Sequence, residues 1–133
     1  MPEIDWNVLR NSAIQVMRNA YAPYSRFPVG AAALSTDNRI VLGCNVENVS
    51  YGLTLCAECV LVGNLFSSGS TRLLAVSVTD SRGEILTPCG RCRQLLYEHG
   101  GPNLLIDHKT EPHPLATLLP GAFTPNDLDA GQR

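Results

Sequence analysis

Leu73-Leu74-Ala75-Val76-Ser77-Val78-Thr79 is a nearly unbroken apolar run, and its reading decides the fold of this 133-residue chain. A strand that is apolar on both faces belongs inside a sheet covered on both sides. A turn at Asp80-Ser81-Arg82-Gly83 and a short Glu84-Ile85-Leu86 follow. Residues 90–99 then read as a helix with Leu95 and Leu96 inward, stopped by Gly100-Gly101. Leu104-Leu105-Ile106-Asp107 predicts another strand. Strand, helix, strand in this order predicts a βαβ-like unit, with a parallel pair and a helix covering the sheet.

Working outward, residues 29–34 are small and apolar, Ser35-Thr36-Asp37-Asn38-Arg39 supplies turn chemistry, and Ile40-Val41-Leu42 resumes the apolar run. This predicts a β-hairpin whose second strand continues through Asn45 and Glu47. Alternation along a strand puts those two side chains on one face, either as a clamp for a sugar hydroxyl or as a solvated edge. Asp5 is a candidate N-cap for a helix carrying Trp6, Leu9, Ala13, Val16 or Met17, and Ala20 at helical spacing, ended by Pro23. Pro23-Tyr24-Ser25-Arg26-Phe27-Pro28 reads as a rigid loop, in which Phe27 is either core or the wall of a pocket. Thr54 or Leu55 opens a further, largely apolar helix through Cys56 to about Phe66. Residues 125–133 are polar and predict a frayed tail. The expectation is one domain over residues 1–133, with no repeat and no linker.

Hydrophobic residues make up 44% and charged residues 17% of the chain, and the formal net charge is -2. Those values fit a compact soluble protein and argue against a nucleic-acid partner, which normally meets a basic face. No stretch approaches the roughly 20 apolar residues of a membrane span, so no membrane partner is expected. Met1-Pro2-Glu3-Ile4-Asp5 lacks the layout of a signal peptide, which predicts a cytoplasmic protein with reduced thiols.

Four of the five cysteines form two pairs, Cys56-Ala57-Glu58-Cys59 and Cys89-Gly90-Arg91-Cys92. In a reducing compartment this points to metal rather than to a disulfide framework. Cys56 and Cys89 each open a helix, where the dipole and free N–H groups favour thiolates. Two sites are conceivable. Four thiolates would close a structural zinc site, although the gap from Cys59 to Cys89 exceeds the zinc-ribbon interval of about 15–20 residues. Three, from Cys56, Cys89 and Cys92, would leave a position for a water whose pKa the metal lowers, with Glu58 placed to carry protons.

The pattern Cys56-Ala57-Glu58…Pro88-Cys89-Gly90-Arg91-Cys92 resembles the zinc-dependent cytidine deaminases, whose signature is H-x-E…P-C-x-x-C. Pro23-Tyr24-Ser25-Arg26-Phe27-Pro28-Val29-Gly30, Asn45-Val46-Glu47-Asn48-Val49-Ser50-Tyr51-Gly52 and Cys92-Arg93-Gln94 resemble segments of the small nucleoside enzymes of that family. The resemblance implies a three-layer α/β/α sandwich with a mixed central sheet. It implies one Zn²⁺ per subunit on Cys56, Cys89 and Cys92, and Glu58 as the proton shuttle in hydrolysis of cytidine and 2′-deoxycytidine, a pyrimidine-salvage reaction. Ala57 would offer its N–H to the base carbonyl, and the Thr87 carbonyl would face the leaving ammonia. Asn45 and Glu47 would hold the ribose 3′-hydroxyl and Phe27 would contact the base. The family's small members are homotetramers, in which Tyr51 and Phe123 would reach a neighbour's site.

One departure stands out. The family commonly has arginine after the catalytic glutamate, where this chain has Cys59, and Arg91 is expected to supply the missing charge beside the thiolates. Cys59 and Cys44 are expected to be free thiols, and His99, His108 and His113 fall outside every motif. A nucleoside-antibiotic deaminase is the alternative enzyme, and a non-catalytic module with all four thiols on zinc is the alternative of another class.

Overall fold

The computed structural model describes residues 3–132, so Met1 and Pro2 of the acidic start and Arg133 of the expected tail lie outside the described residues. Helix α1 (Trp6–Met17) is capped as expected, the Asp5 carboxylate accepting from the Val8 N–H at 3.2 Å. It buries Leu9, Ala13 and Met17 and ends well before Pro23. The reason is tertiary. Tyr21 donates to the Asn45 carbonyl at 3.0 Å and accepts from the Glu47 N–H at 2.8 Å, which draws the chain out of the helix.

Strands β1 (Gly30–Ser35) and β2 (Ile40–Cys44) form the expected antiparallel hairpin. The second strand stops at Cys44, and Asn45 and Glu47 follow in an irregular ribbon held by isolated bridges at Val46. A 3-10 turn (Tyr51–Leu53) leads to α2 (Ala57–Ser67), and β3 (Leu73–Thr79) leads to α3 (Gly90–Gly100). Two short strands, β4 (Leu105–Ile106) and β5 (His113–Pro114), and the helical turn α4 (Leu115–Leu118) follow. In place of a wholly frayed tail, α5 (Pro125–Gly131) carries a capping box between Thr124 and Asp127, with proline in its first turn. The compositional reading missed that cap.

The sheet order is β2-β1-β3-β4-β5, parallel only between β3 and β4. The βαβ unit is therefore present as predicted, inside a mixed sheet. Both faces are covered, because β1 and β3 send alternate side chains to opposite layers. Ala32, Leu34 and Ala75 pack under α1 with Leu9 and Ala13, while Ala31, Ala33, Val76 and Val78 pack under α2 and α3 with Leu61, Leu65 and Leu96. This is the expected three-layer α/β/α sandwich.

Two glycines set how closely the helices approach. A Cβ at Gly30 would lie 2.0 Å from the Ala13 carbonyl oxygen, and one at Gly43 would lie 2.3 Å from that of Ala57 and 2.5 Å from the Leu61 nitrogen. Gly43 thereby fixes the start of α2 against β2. Gly30 pairs with both Cys44 and Thr79, so the flanking residues Val29, Asn45 and Leu86 gather at one edge of the sheet.

Candidate metal centre and active site

Cys56 is the N-cap of α2, Cys89 the N-cap of α3, and Cys92 lies in the first turn of α3. Their three Sγ atoms lie within 4.8 Å of one another, and Cys59 is not among them. Each helix start points free N–H groups and the positive end of its dipole at the cluster. At Cys89 burial opposes ionisation, yet the backbone N–H groups of Cys92 and Arg91 outweigh it and hold the thiol below its ordinary range. Burial and the neighbouring charges push Cys56 and Cys92 up. The three thiols thus resist ionising together unless a cation shares them, and three converging sulfurs suit zinc, a borderline-soft metal. The residues fit the metal.

Glu58, in the first turn of α2, is only 4% exposed. Burial pushes its carboxyl up, and its own backbone N–H and the Cys92 thiol recover only part of that shift. A cleft of about 220 Å³ opens over this group. Cys56, Ala57, Glu58 and Cys89 form its floor, and Val29, Asn45, Thr54 and Thr87 contribute walls. A shallower cleft of about 380 Å³ adjoins it at Thr54 and contains Ser25, Glu47 and Tyr51. A wider concavity of about 610 Å³ between Glu3 and Arg10 is lined by no thiol and no buried carboxyl. The buried carboxyl and two of the converging thiols line the smaller cleft instead.

A family model described as the cytidine and deoxycytidylate deaminase zinc-binding region matches residues 6–106. The chain belongs to the cytidine and deoxycytidylate deaminase family. The cytidine deaminase of Mycobacterium tuberculosis is 60% identical over 133 residues, covering 100% of both chains. That of Halalkalibacterium halodurans is 37% identical over 131 residues, covering 95% of this chain and 99% of its own. Among solved structures, the M. tuberculosis cytidine deaminase superposes with a TM-score of 0.90 at 61% identity, covering 92% of this chain and 99% of that one. The Mycobacterium leprae cytidine deaminase gives 0.87 at 51% identity, covering 89% and 99%.

Within this deaminase, the expected ligands and Glu58 meet at one point, with Ala57 and Thr87 beside them. Asn45 borders the deep cleft but also organises it. Its Oδ1 accepts from the Val29 N–H and its Nδ2 donates to the Phe27 carbonyl, both at 2.9 Å. Glu47 faces the adjoining cleft with both oxygens engaged: Oε1 accepts from the N–H groups of Tyr24 (2.9 Å) and Ser25 (3.1 Å), and Oε2 from the Ser25 hydroxyl. The alternative of Phe27 as core is overturned, since the residue is 48% exposed. Tyr51 is 78% exposed and meets the Tyr24 ring edge-on, and Phe123 is 60% exposed. None of these three aromatic residues, Phe27, Tyr51 and Phe123, lines the deep cleft. Arg91 is exposed, and its backbone N–H is what serves Cys89.

Arg93 is a positioning residue for which no role was legible in the sequence. Its Nε donates to the Pro88 carbonyl and its Nη1 to the Leu118 carbonyl, both at 2.8 Å. This ties the turn before Cys89 to the end of α4. Its place directly after Cys92 was the available signal.

Proposed function

We propose that this deaminase hydrolyses cytidine and 2′-deoxycytidine to uridine and 2′-deoxyuridine with release of ammonia, in pyrimidine salvage. One observation carries the reading: a buried carboxyl, Glu58, beside three converging thiols at the floor of a cleft. When held by Cys56, Cys89 and Cys92, zinc supplies the Lewis acidity that brings a water towards neutral pKa. Burial raises the Glu58 carboxyl towards working pH, where an acid–base group is most effective. Glu58 takes a proton from the attacking water, delivers it to the ring nitrogen beside the amino-bearing carbon, and then protonates the departing amine. The Ala57 N–H, at the first helical position and without an intrahelical acceptor, donates to the base carbonyl. The Thr87 carbonyl receives the leaving ammonia.

Asn45 and Glu47 hold the ribose 3′-hydroxyl. Each has a hydrogen-bonding site left after its bonds to the 24–29 loop. Phe27 packs against the base. Arg91 offsets the negative charge of three thiolates around a dication through its field, without bonding the sulfurs. We place the whole of residues 1–133 in one cytoplasmic domain that assembles as a homotetramer, Tyr51 and Phe123 completing a neighbour's site. The exposure of these rings, together with Val49 and Leu53, supports that assembly.

The test is the Glu58→Gln chain, assayed for zinc content and for loss of cytidine absorbance. It should keep one zinc per chain while turnover falls at least about a thousandfold, since both water activation and amine protonation are lost. Turnover near the parent level would sink the assignment. Parallel assays with 2′-deoxycytidine and cytidine monophosphate should show both nucleosides accepted and the phosphate rejected.

A further inference from the structure

Cys59 has no part in the three-thiol cluster, yet it is placed where a fourth thiol could act on it. Cys56 caps α2 with extended dihedrals (φ -65, ψ 156), and the Cys59 N–H donates to its carbonyl at 3.0 Å, closing a tight turn. Residues three apart within a helix lie about 5–6 Å apart at Cβ, and a disulfide needs about 3.5–4.5 Å. Bridging therefore requires Cys56, whose capping dihedrals lie outside the helix, to turn towards Cys59. Cys56 and Cys59 are both half-buried, whereas Cys92 is sealed from solvent.

We propose that Cys56 and Cys59 form a redox modification site, a reversible disulfide whose formation withdraws one metal ligand and empties the centre. The proposal rests on the reading that Cys56, Cys89 and Cys92 hold the zinc. The oxidant is a low-molecular-weight disulfide, RSSR. The Cys59 thiolate, free of the metal, attacks one sulfur of RSSR, breaking the S–S bond and expelling one RS⁻. The Cys56 sulfur then attacks the Cys59 sulfur of the mixed disulfide and expels the second RS⁻. Two cysteine thiols become one disulfide, RSSR becomes two RSH, and two electrons pass from protein to oxidant. Cys89 and Cys92 remain, too few to hold zinc in tetrahedral array. The pair at the start of α3 has the same spacing, but bridging it would take away two ligands at once and would engage the sealed Cys92. A dithiol reductant reverses the step and restores the ligand.

The experiment treats the zinc-loaded full chain with hydroxyethyl disulfide, follows zinc release with a chromogenic chelator, and maps the product by trypsin and mass spectrometry. Cleavage after Arg39 and Arg72 puts Cys44, Cys56 and Cys59 in one peptide, while cleavage after Arg82, Arg91 and Arg93 separates Cys89 from Cys92. We expect the first peptide to lose two hydrogens with Cys44 still alkylated, in step with zinc release, and dithiothreitol plus zinc to restore the starting state. Cys59→Ser and Cys59→Ala chains should hold one zinc and release it at least about tenfold more slowly under the same oxidant. Release at the parent rate, or a bridge joining the Cys89 and Cys92 peptides, overturns the proposal. Cys59 variants that contain no zinc before any oxidant is added overturn the three-thiol reading itself, and the bridge with it.

Discussion

Arg93 spans two carbonyls, one before Cys89 and one at the end of α4. A guanidinium makes both bonds from one plane, which a lysine ammonium does not reproduce. Arg93→Ala should cost about 2 kcal/mol by leaving these half-buried acceptors unpaired. Its zinc should pass to a competing chelator faster than in the parent, with Arg93→Lys in between; equal transfer rates would reduce Arg93 to a surface charge. The converging cysteines were legible because a C-x-x-C at a helix start is a local pattern. The duty of Asn45 was not, since its partners are backbone groups of Phe27 and Val29, 18 and 16 residues earlier in the chain, and backbone groups leave no trace in composition.

The placing of α2 depends on the bare backbone at Gly43. Gly43→Ala would set a methyl against the Ala57 carbonyl and the Leu61 nitrogen, and α2 would have to retreat with Cys56 and Glu58 on it. A loss of about 3 kcal/mol is expected from such overpacking, with kcat/KM for cytidine falling more than the melting temperature alone would suggest. An unaltered kcat/KM would show that the helix has slack. The 23–28 loop has its own dependence, on pH. The Ser25 hydroxyl, seconded by the N–H groups of Ser25 and Tyr24, holds the Glu47 carboxyl below its usual range against the opposing effect of burial. A depressed carboxylate stabilises above the unfolded value of about 4.3, and that contribution is lost as pH falls through the lower folded value. Amide exchange at Tyr24 and Ser25 should therefore stay slow at neutral pH and quicken in acid. In Ser25→Ala the midpoint should move up towards the ordinary glutamate range, and an unmoved midpoint would discard the tether. Among elements, α1, the hairpin and the βαβ unit were legible from their periodicity. The end of α1 was not, being set by a bridge to Val46, and β5 was not, being two residues long with a proline.

Across the whole molecule, α1 is fastened to the sheet by Asp107, which is 0% exposed and takes both Arg10 Nε (2.7 Å) and Nη2 (2.8 Å), with the Ser77 hydroxyl at 2.7 Å. The sequence showed only an aspartate at the end of a strand, because the arginine that pairs with it lies 97 residues away. Asp107→Ala should destabilise the fold by about 3 kcal/mol in urea unfolding, since it strands a partly buried cation. Zinc content should be unaffected, as α1 touches the opposite layer from the thiols; loss of zinc in the folded variant would show the two layers to be coupled. Cover on both faces of β3 was readable from its unbroken apolar run, whereas the three-layer sandwich came with the family resemblance. The meeting of Cys56 with Cys89 and Cys92 has a last consequence, thermodynamic rather than chemical. A cation that joins two helix ends distant in the chain acts as a removable cross-link, lowering the entropy of the open chain only while it is bound. Each tenfold rise in free zinc above its dissociation constant then adds about 1.4 kcal/mol to the folding free energy. The melting temperature of this chain becomes a reporter of the zinc activity around it.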